Sequence, residues 1–286
     1  MNFADHAIVF SCAGSDLVGV ISRPELPGET GLIVIVGGPQ YRIGSHRQFV
    51  HLARHAAAAG VTTLRFDYRG MGDSFGTSAS FENVDADIGA AIDALVRHCS
   101  SVRRIFLWGL CDGASAALMY LQRTGDQRVA GVCILNPWVR SAATLARTQV
   151  KHYYGQRMLQ VEFWRKLLRG GIDVVGSLRE LGGVLRSAAM ERKVRRHDLP
   201  FQARMAAGLK AFTGSVLLVL SERDLTAKEF VDFAASEPAW AASLNSSRLT
   251  RCEIAESDHT FSSQFWRERV EEATVQWILM ANERRP

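Results

Sequence analysis

Cys111 is framed by glycines two places to either side, in Gly109-Leu110-Cys111-Asp112-Gly113. The residues before it, Arg104–Trp108, read as a strand, and those after it, Asp112–Gln122, as a helix. A thiol on such a strand-to-helix bend reads as a nucleophile elbow with cysteine where serine is usual. The bend needs glycines because the nucleophile is held in a strained backbone conformation and neighbouring side chains would collide. The helix N-terminus favours a thiolate and, later, an oxyanion. Cys12, Cys99, Cys133 and Cys252 have no such frame and fit buried, inert thiols better.

A thiol nucleophile needs a base, and the base needs an orienting carboxylate. Among eight histidines, His259 lies in the polar run Glu256-Ser257-Asp258-His259-Thr260-Phe261, between the last expected strand and the last expected helix. His51 and His55 fall on an expected helix and read as surface residues. Asp224 follows the expected strand Val216–Leu220 in Ser221-Glu222-Arg223-Asp224, at a carboxyl end from which it reaches the histidine. Glu222 is the second choice, and the preceding strand ends at Asn136-Pro137, with no carboxylate. The order nucleophile, acid, histidine is that of the nucleophile-elbow enzymes.

An acyl-transfer site also needs two N–H donors for the tetrahedral oxyanion. One is expected from the backbone of Asp112. The other is expected from Gly37-Gly38-Pro39-Gln40-Tyr41-Arg42, after an early strand. Pro39 has no N–H, so Gly38 is the first choice and Gln40 the second. The loop Asp67-Tyr68-Arg69-Gly70-Met71-Gly72-Asp73-Ser74 lacks the lysine of a phosphate loop and reads as a structural turn.

These residues are spread over 286 positions, and the intervening pattern supplies what must hold them. Ala7–Phe10 and Leu17–Ile21 read as a hairpin. Leu32–Val36, Val61–Phe66, Arg104–Trp108, Val129–Leu135, Val216–Leu220 and Ser247–Ile254 read as strands. Gln48–Ala59, Phe81–Cys99, Asp112–Gln122, Ala227–Ala235 and Gln264–Met280 read as helices. Such alternation implies an α/β fold, a mainly parallel sheet with helices on both faces. The stretch 140–212 interrupts it with helical periodicity and reads as an inserted cap or lid on a core formed by 1–139 and 213–286.

Hydrophobic residues make up 47% of the chain and charged residues 22%, which sets disorder and coiled coil aside. The chain has no membrane-spanning apolar run and no secretory start, and its five scattered cysteines suit a reducing cytosol. Net charge is +5, unevenly placed: between Arg140 and Lys210 fifteen basic residues face five acidic ones. A basic layer attracts anions, although helical insertions also carry Arg and Lys outward into solvent. Leu159, Phe163, Trp164, Leu167 and Leu168 form an apolar stripe within it, able to touch a lipid interface or to pack on the core. No nucleic-acid motif is present.

At these residues the sequence resembles the α/β-hydrolase superfamily, in its serine-aminopeptidase and lysophospholipase-like branch. The stretches 67–74 and Asp258-His259-Thr260-Phe261 carry that likeness. A closer likeness is to hydrolase 1 of the exosortase A-associated group, bacterial proteins encoded with exopolysaccharide and protein-sorting systems. It rests on Val36–Arg42 with Gly44–Phe49, Phe66–Ser74, Trp108–Asp112 and Leu135–Arg140. The resemblance implies the α/β-hydrolase fold and a Cys-His-Asp triad of Cys111, His259 and Asp224, but no substrate.

The expected chemistry is acyl transfer to water from an ester, thioester or lactone, with no metal and no organic cofactor. An acyltransferase using the same acyl-cysteine, or a non-catalytic binding module retaining the triad, are the alternative readings. Arg42, Trp138 and Arg140 flank the elbow at strand ends and are expected to meet substrate, a small-molecule or lipid- or carrier-linked acyl compound, with an anionic group favoured by the basic insertion.

Overall fold

Alternation of apolar runs with turn residues sets the first two strands. Phe3–Cys12 (β1) and Ser15–Pro24 (β2) pair antiparallel, and Ala13 and Gly14, both at positive φ, close the turn between them. Residues 3–38, 40–140 and 199–283 are described by the computed structural model. The remaining strands are Thr30–Ile35 (β3), Thr62–Phe66 (β4), Arg104–Leu110 (β5), Val129–Leu135 (β6), Ser215–Ser221 (β7) and Leu249–Ile254 (β8). Together they form one eight-stranded sheet in the order β1-β2-β4-β3-β5-β6-β7-β8. The β1–β2 and β2–β4 pairs are antiparallel and the other five are parallel.

The central strands are largely apolar because both faces are covered, and β4 carries the polar Thr62, Thr63 and Arg65 into the same burial. Every residue of β3 and β4 is buried. The longer helices are Gln48–Ala58 (α1), Asp85–His98 (α2), Asp112–Thr124 (α3), Phe201–Ala211 (α4), Leu225–Ser236 (α5), Pro238–Leu244 (α6) and Gln264–Glu283 (α7). On β5, Trp108 meets Phe49 of α1 and Phe106 meets Trp277 of α7, each edge to face. Gly109, one residue on and therefore on the opposite face, lies under the start of α3. The sheet is thus sandwiched between α1 with α7 and a layer built on α2 and α3.

Two local expectations shift. The helix expected from Phe81 starts at Asp85, preceded by a separate turn at Phe81–Asn83 in which Ser80 Oγ accepts from the Glu82 N–H. The seven-residue helix α6, with proline in its first turn, is too short to show a helical period and had no counterpart in the sequence pattern. Most of the stretch expected to form a lid, and its apolar stripe from Leu159 to Leu168, lies outside the described residues. Its described end, α4, packs on α3, and Arg204 there reaches Glu82.

The chain leaves β3 for β4 on one side and returns to β5 on the other. That reversal opens a crevice at the carboxyl ends of β3 and β5, the place where open parallel sheets bind ligands. The loop after β3 and the start of α3 face each other across it.

Candidate active site

Cys111 sits where β5 ends and α3 begins, at φ 61° and ψ −125°. This backbone state costs a non-glycine residue about 1–3 kcal/mol and persists only where its surroundings over-determine it. They do so here. The Cys111 N–H donates to the Leu135 carbonyl at 2.9 Å, and the Trp138 N–H donates to the Cys111 carbonyl at 3.2 Å. A Cβ on Gly109 would lie 2.5 Å from the Gly113 carbonyl carbon, and one on Gly113 2.6 Å from the Ile35 carbonyl oxygen. The two glycines are therefore fixed by close backbone approach. Cys12, Cys99 and Cys133 are buried as expected, whereas Cys252 on β8, expected to be buried, is half-buried like Cys111 and lacks the elbow.

His259 reaches this thiol from the loop after β8. Its Nδ1 lies 2.7 Å from Asp224 Oδ2, and Cys111 is near enough to act on the same ring. The Asp224 and then the Cys111 interactions, working against burial, push the imidazole pKa from 6.5 up to about 10. Asp224 has a second duty as the N-cap of α5: Oδ1 accepts from the Thr226 N–H and Oδ2 from the Ala227 N–H, each at 3.1 Å. One buried carboxylate thus starts a helix and orients an imidazole. Glu222, the second choice for the acid, instead accepts from the Glu256 N–H at 2.8 Å. His51, on α1, belongs to no part of this cluster, and neighbouring Arg267, Arg47 and Arg54 add to burial in lowering its pKa.

Asn136, read from the sequence only as a strand end lacking a carboxylate, is the hub behind the histidine. It is fully buried at φ 41°. Its Oδ1 accepts from the Ser221 N–H at 2.9 Å, and its Nδ2 donates to Ser221 Oγ at 2.8 Å and to the His259 carbonyl at 3.2 Å. Ser221 Oγ donates onward to the Asp258 carbonyl at 2.8 Å. This task needs a donor and an acceptor on one side chain, which an amide supplies and a carboxylate does not. The histidine loop is further held by Asp258. Its carboxylate accepts from the N–H groups of Thr260 and Ser262 at 3.1 and 3.0 Å and from the Ser262 hydroxyl.

The expected N–H donors converge, and they do so on a carboxylate. Gly38 N–H donates to Asp112 Oδ1 at 2.6 Å, and the backbone N–H groups of Asp112 and Gly113 favour the charged form of the same side chain. Burial raises the Asp112 pKa, against the lowering effect of these N–H groups and of His259. Gln40, the second choice for the backbone donor, uses its side chain to hold the loop, with Oε1 accepting from the Ser45 N–H at 3.2 Å.

Arg42 is bound into the loop after β4. It ion-pairs with buried Asp67 and, at 2.6 Å, with Asp73, while Asp67 Oδ1 accepts the Arg42 N–H at 2.6 Å. Ser74 Oγ links the Asp67 carbonyl to the Val18 N–H at 2.8 Å each, so the 67–74 loop is a brace between β2 and the crevice. Arg140 lies over the Trp138 ring at 4.5 Å and ion-pairs with buried Glu229 at 2.7 Å. Both guanidinium charges are thereby matched within the protein. Trp138 is tied directly to the elbow, its N–H on the Cys111 carbonyl and its own carbonyl accepting from Ser115 Oγ at 2.7 Å. Among the described residues no group of three His, Cys, Asp or Glu side chains is arranged to hold a metal ion, and no helix is long and apolar enough to cross a membrane.

Comparison with solved structures returns esterases and related hydrolases. The Pyrococcus furiosus esterase Pf2001 superposes with a TM-score of 0.66 at 14% identity, covering 97% of this chain and 91% of that one. A fungal esterase from Rhizomucor miehei gives 0.64 at 17% identity, over 98% and 84% of the two chains. Dienelactone hydrolase from Anabaena variabilis gives 0.61 at 12% identity, over 98% and 99%. No curated protein sequence matches the chain. At these identities the likeness is one of fold. The sequence profile of the alpha/beta hydrolase family, by contrast, matches residues 32–273, most of the chain, and the protein belongs to the alpha/beta hydrolase family.

Proposed function

We propose that the protein hydrolyses activated acyl compounds, esters, thioesters or lactones, through an acyl-enzyme on Cys111. The observation that carries this reading is the His259 imidazole, hydrogen-bonded to Asp224 on one side and interacting with Cys111, whose thiol sits on a strained bend at a helix N-terminus. The raised proton affinity of His259 suits it to take the Cys111 proton as the sulfur attacks and to hold it for the leaving group.

In the first half-reaction the Cys111 sulfur attacks the acyl carbon, and a carbon–sulfur bond forms as the carbonyl π bond shifts its electron pair onto oxygen. The N–H groups of Asp112 and Gly38 receive that charge. The tetrahedral intermediate collapses, the bond to the leaving group breaks, and His259 gives the leaving atom its proton. Once acylated, Cys111 no longer adds to the proton affinity of His259. The imidazole, still oriented by Asp224, then takes a proton from water as the hydroxyl attacks the thioester. The thiolate leaves with its electron pair, and the acid product departs.

Trp138, tied to the elbow, supplies an apolar wall for the acyl group, with Arg140 stacked upon it. The likeness of Val36–Arg42 and Leu135–Arg140 to exosortase-associated hydrolases supports a substrate from bacterial surface-polysaccharide or sorting chemistry. Replacement Cys111→Ala is expected to abolish both turnover of p-nitrophenyl esters and covalent labelling by thiol-directed acyl probes. Retained hydrolysis by that variant overturns the assignment.

A further inference from the structure

The oxyanion site contains an anion supplied by the chain itself. Asp112 Oδ1 receives the Gly38 N–H at 2.6 Å, and it presses so closely on the loop after β3 that a Cβ on Gly37 would lie 2.5 Å from it. The N–H groups of Asp112 and Gly113 favour the charged form of the same carboxylate. A carboxylate oxygen and a tetrahedral oxyanion ask the same thing of backbone donors, so they compete for them. The side chain responsible belongs to the residue next to the nucleophile.

We infer that Asp112 is an internal competitor for the oxyanion hole, displaced only by substrates with enough binding surface away from the reacting carbonyl, and so sets specificity against small acyl esters. The inference rests on the acyl-enzyme chemistry proposed above. Moving a buried carboxylate off the Gly38 N–H is unfavourable, and the binding of remote parts of a substrate must offset it. A small ester has no remote parts. A large one keeps the carboxylate displaced through the tetrahedral step, when the donors are needed.

Two reagents separate the hole from the nucleophile. Iodoacetamide alkylates a thiolate by displacement at saturated carbon and develops no oxyanion, whereas p-nitrophenyl acetate acylates through one. Both rates are to be measured at Cys111 by intact-protein mass and p-nitrophenolate release, for the wild type, Asp112→Ala and Asp112→Asn. The Ala variant keeps the backbone N–H groups and frees them. Its acylation by the acetate ester is expected to rise at least about tenfold, a modest fraction of what an oxyanion donor contributes. Its alkylation is expected to change by less than about threefold, as for the loss of one partly screened charge. Added sodium acetate is expected to slow acylation of the Ala variant by refilling the hole, and to leave its alkylation alone. The Asn variant keeps the shape with a weaker, neutral acceptor and is expected to fall between, which preserves the test if the Ala variant does not fold.

Acylation no faster than wild type in a variant that alkylates normally overturns the competitor role and leaves the proposed chemistry standing. Failure of iodoacetamide to label Cys111 in any of the three proteins overturns the nucleophile assignment, and the competitor role with it.

Discussion

Asp224 meets His259 at 2.7 Å with the same carboxylate that caps α5. The orientation of the imidazole and the start of a helix therefore share one side chain, and substitutions at position 224 separate the two duties. Asn caps a helix about as well as Asp, but its amide nitrogen presents a donor to Nδ1. Asp224→Asn is therefore expected to lower kcat on the order of 10⁴-fold, as wrong-tautomer variants of acid-oriented histidines do. Thermal stability should stay near wild type. Asp224→Ala loses the cap as well, at about 1 kcal/mol of stability. Paired kinetic and thermal-melt measurements on the two variants check the division.

Stability should depend on His259 in a defined pH window. Its pKa in the folded chain, about 10, lies above the ordinary 6.5. Stabilisation from the charged imidazole is then complete below pH 6.5 and is lost as pH rises through about 10. The wild-type Tm is expected to fall more steeply from pH 7 to 10 than that of His259→Gln, with the two curves converging at the alkaline end. Parallel curves across that range contradict the raised pKa.

Asn136 acts through the histidine loop as a positioning residue. Asn136→Ala leaves the buried Ser221 N–H and the His259 carbonyl without their amide partner, at about 1–3 kcal/mol of stability. It is expected to lower kcat with little change in KM, because the binding surface is intact and the imidazole is not. Asn136→Asp keeps the acceptor and loses the donor, so its kcat should also fall. A change confined to KM argues against the positioning role.

At Gly113 the added methyl group of alanine would meet the Ile35 carbonyl at 2.6 Å. Gly113→Ala is expected to cost about 1–3 kcal/mol through forced backbone displacement, and to reduce Cys111 alkylation as the elbow shifts. Denaturant melts and iodoacetamide kinetics read the two effects.

The elbow and the positions of the strands along the chain were legible in the sequence because each is a local pattern, whereas their order in the sheet was not read. Glycines flank Cys111, and wholly apolar runs such as Leu32–Val36 announce doubly covered strands. Asp224 and His259 were legible because their loops follow strands at the same sheet edge. Asn136 was not, since its importance lies in three hydrogen bonds to two residues, Ser221 of β7 and His259 of the loop after β8, neither near it in sequence. A buried amide at a strand end is the only local trace it leaves. Gly38 and the Asp112 backbone were read as donors from loop placement, yet nothing in the string announced that the Asp112 side chain would fold back onto them. Arg42 was read as a substrate contact because it flanks the elbow at a strand end; its partners Asp67 and Asp73 lie on a separate loop and left no local trace beside it.

The most direct test of the central claim is intact-protein mass spectrometry with peptide mapping after brief exposure to a panel of activated acyl esters of increasing chain length. The account predicts one acyl group per chain, located on Cys111, accumulating more with the longer esters and absent from Cys111→Ala. Steady hydrolysis of those esters by Cys111→Ala, or an acyl group found on another residue instead, contradicts it.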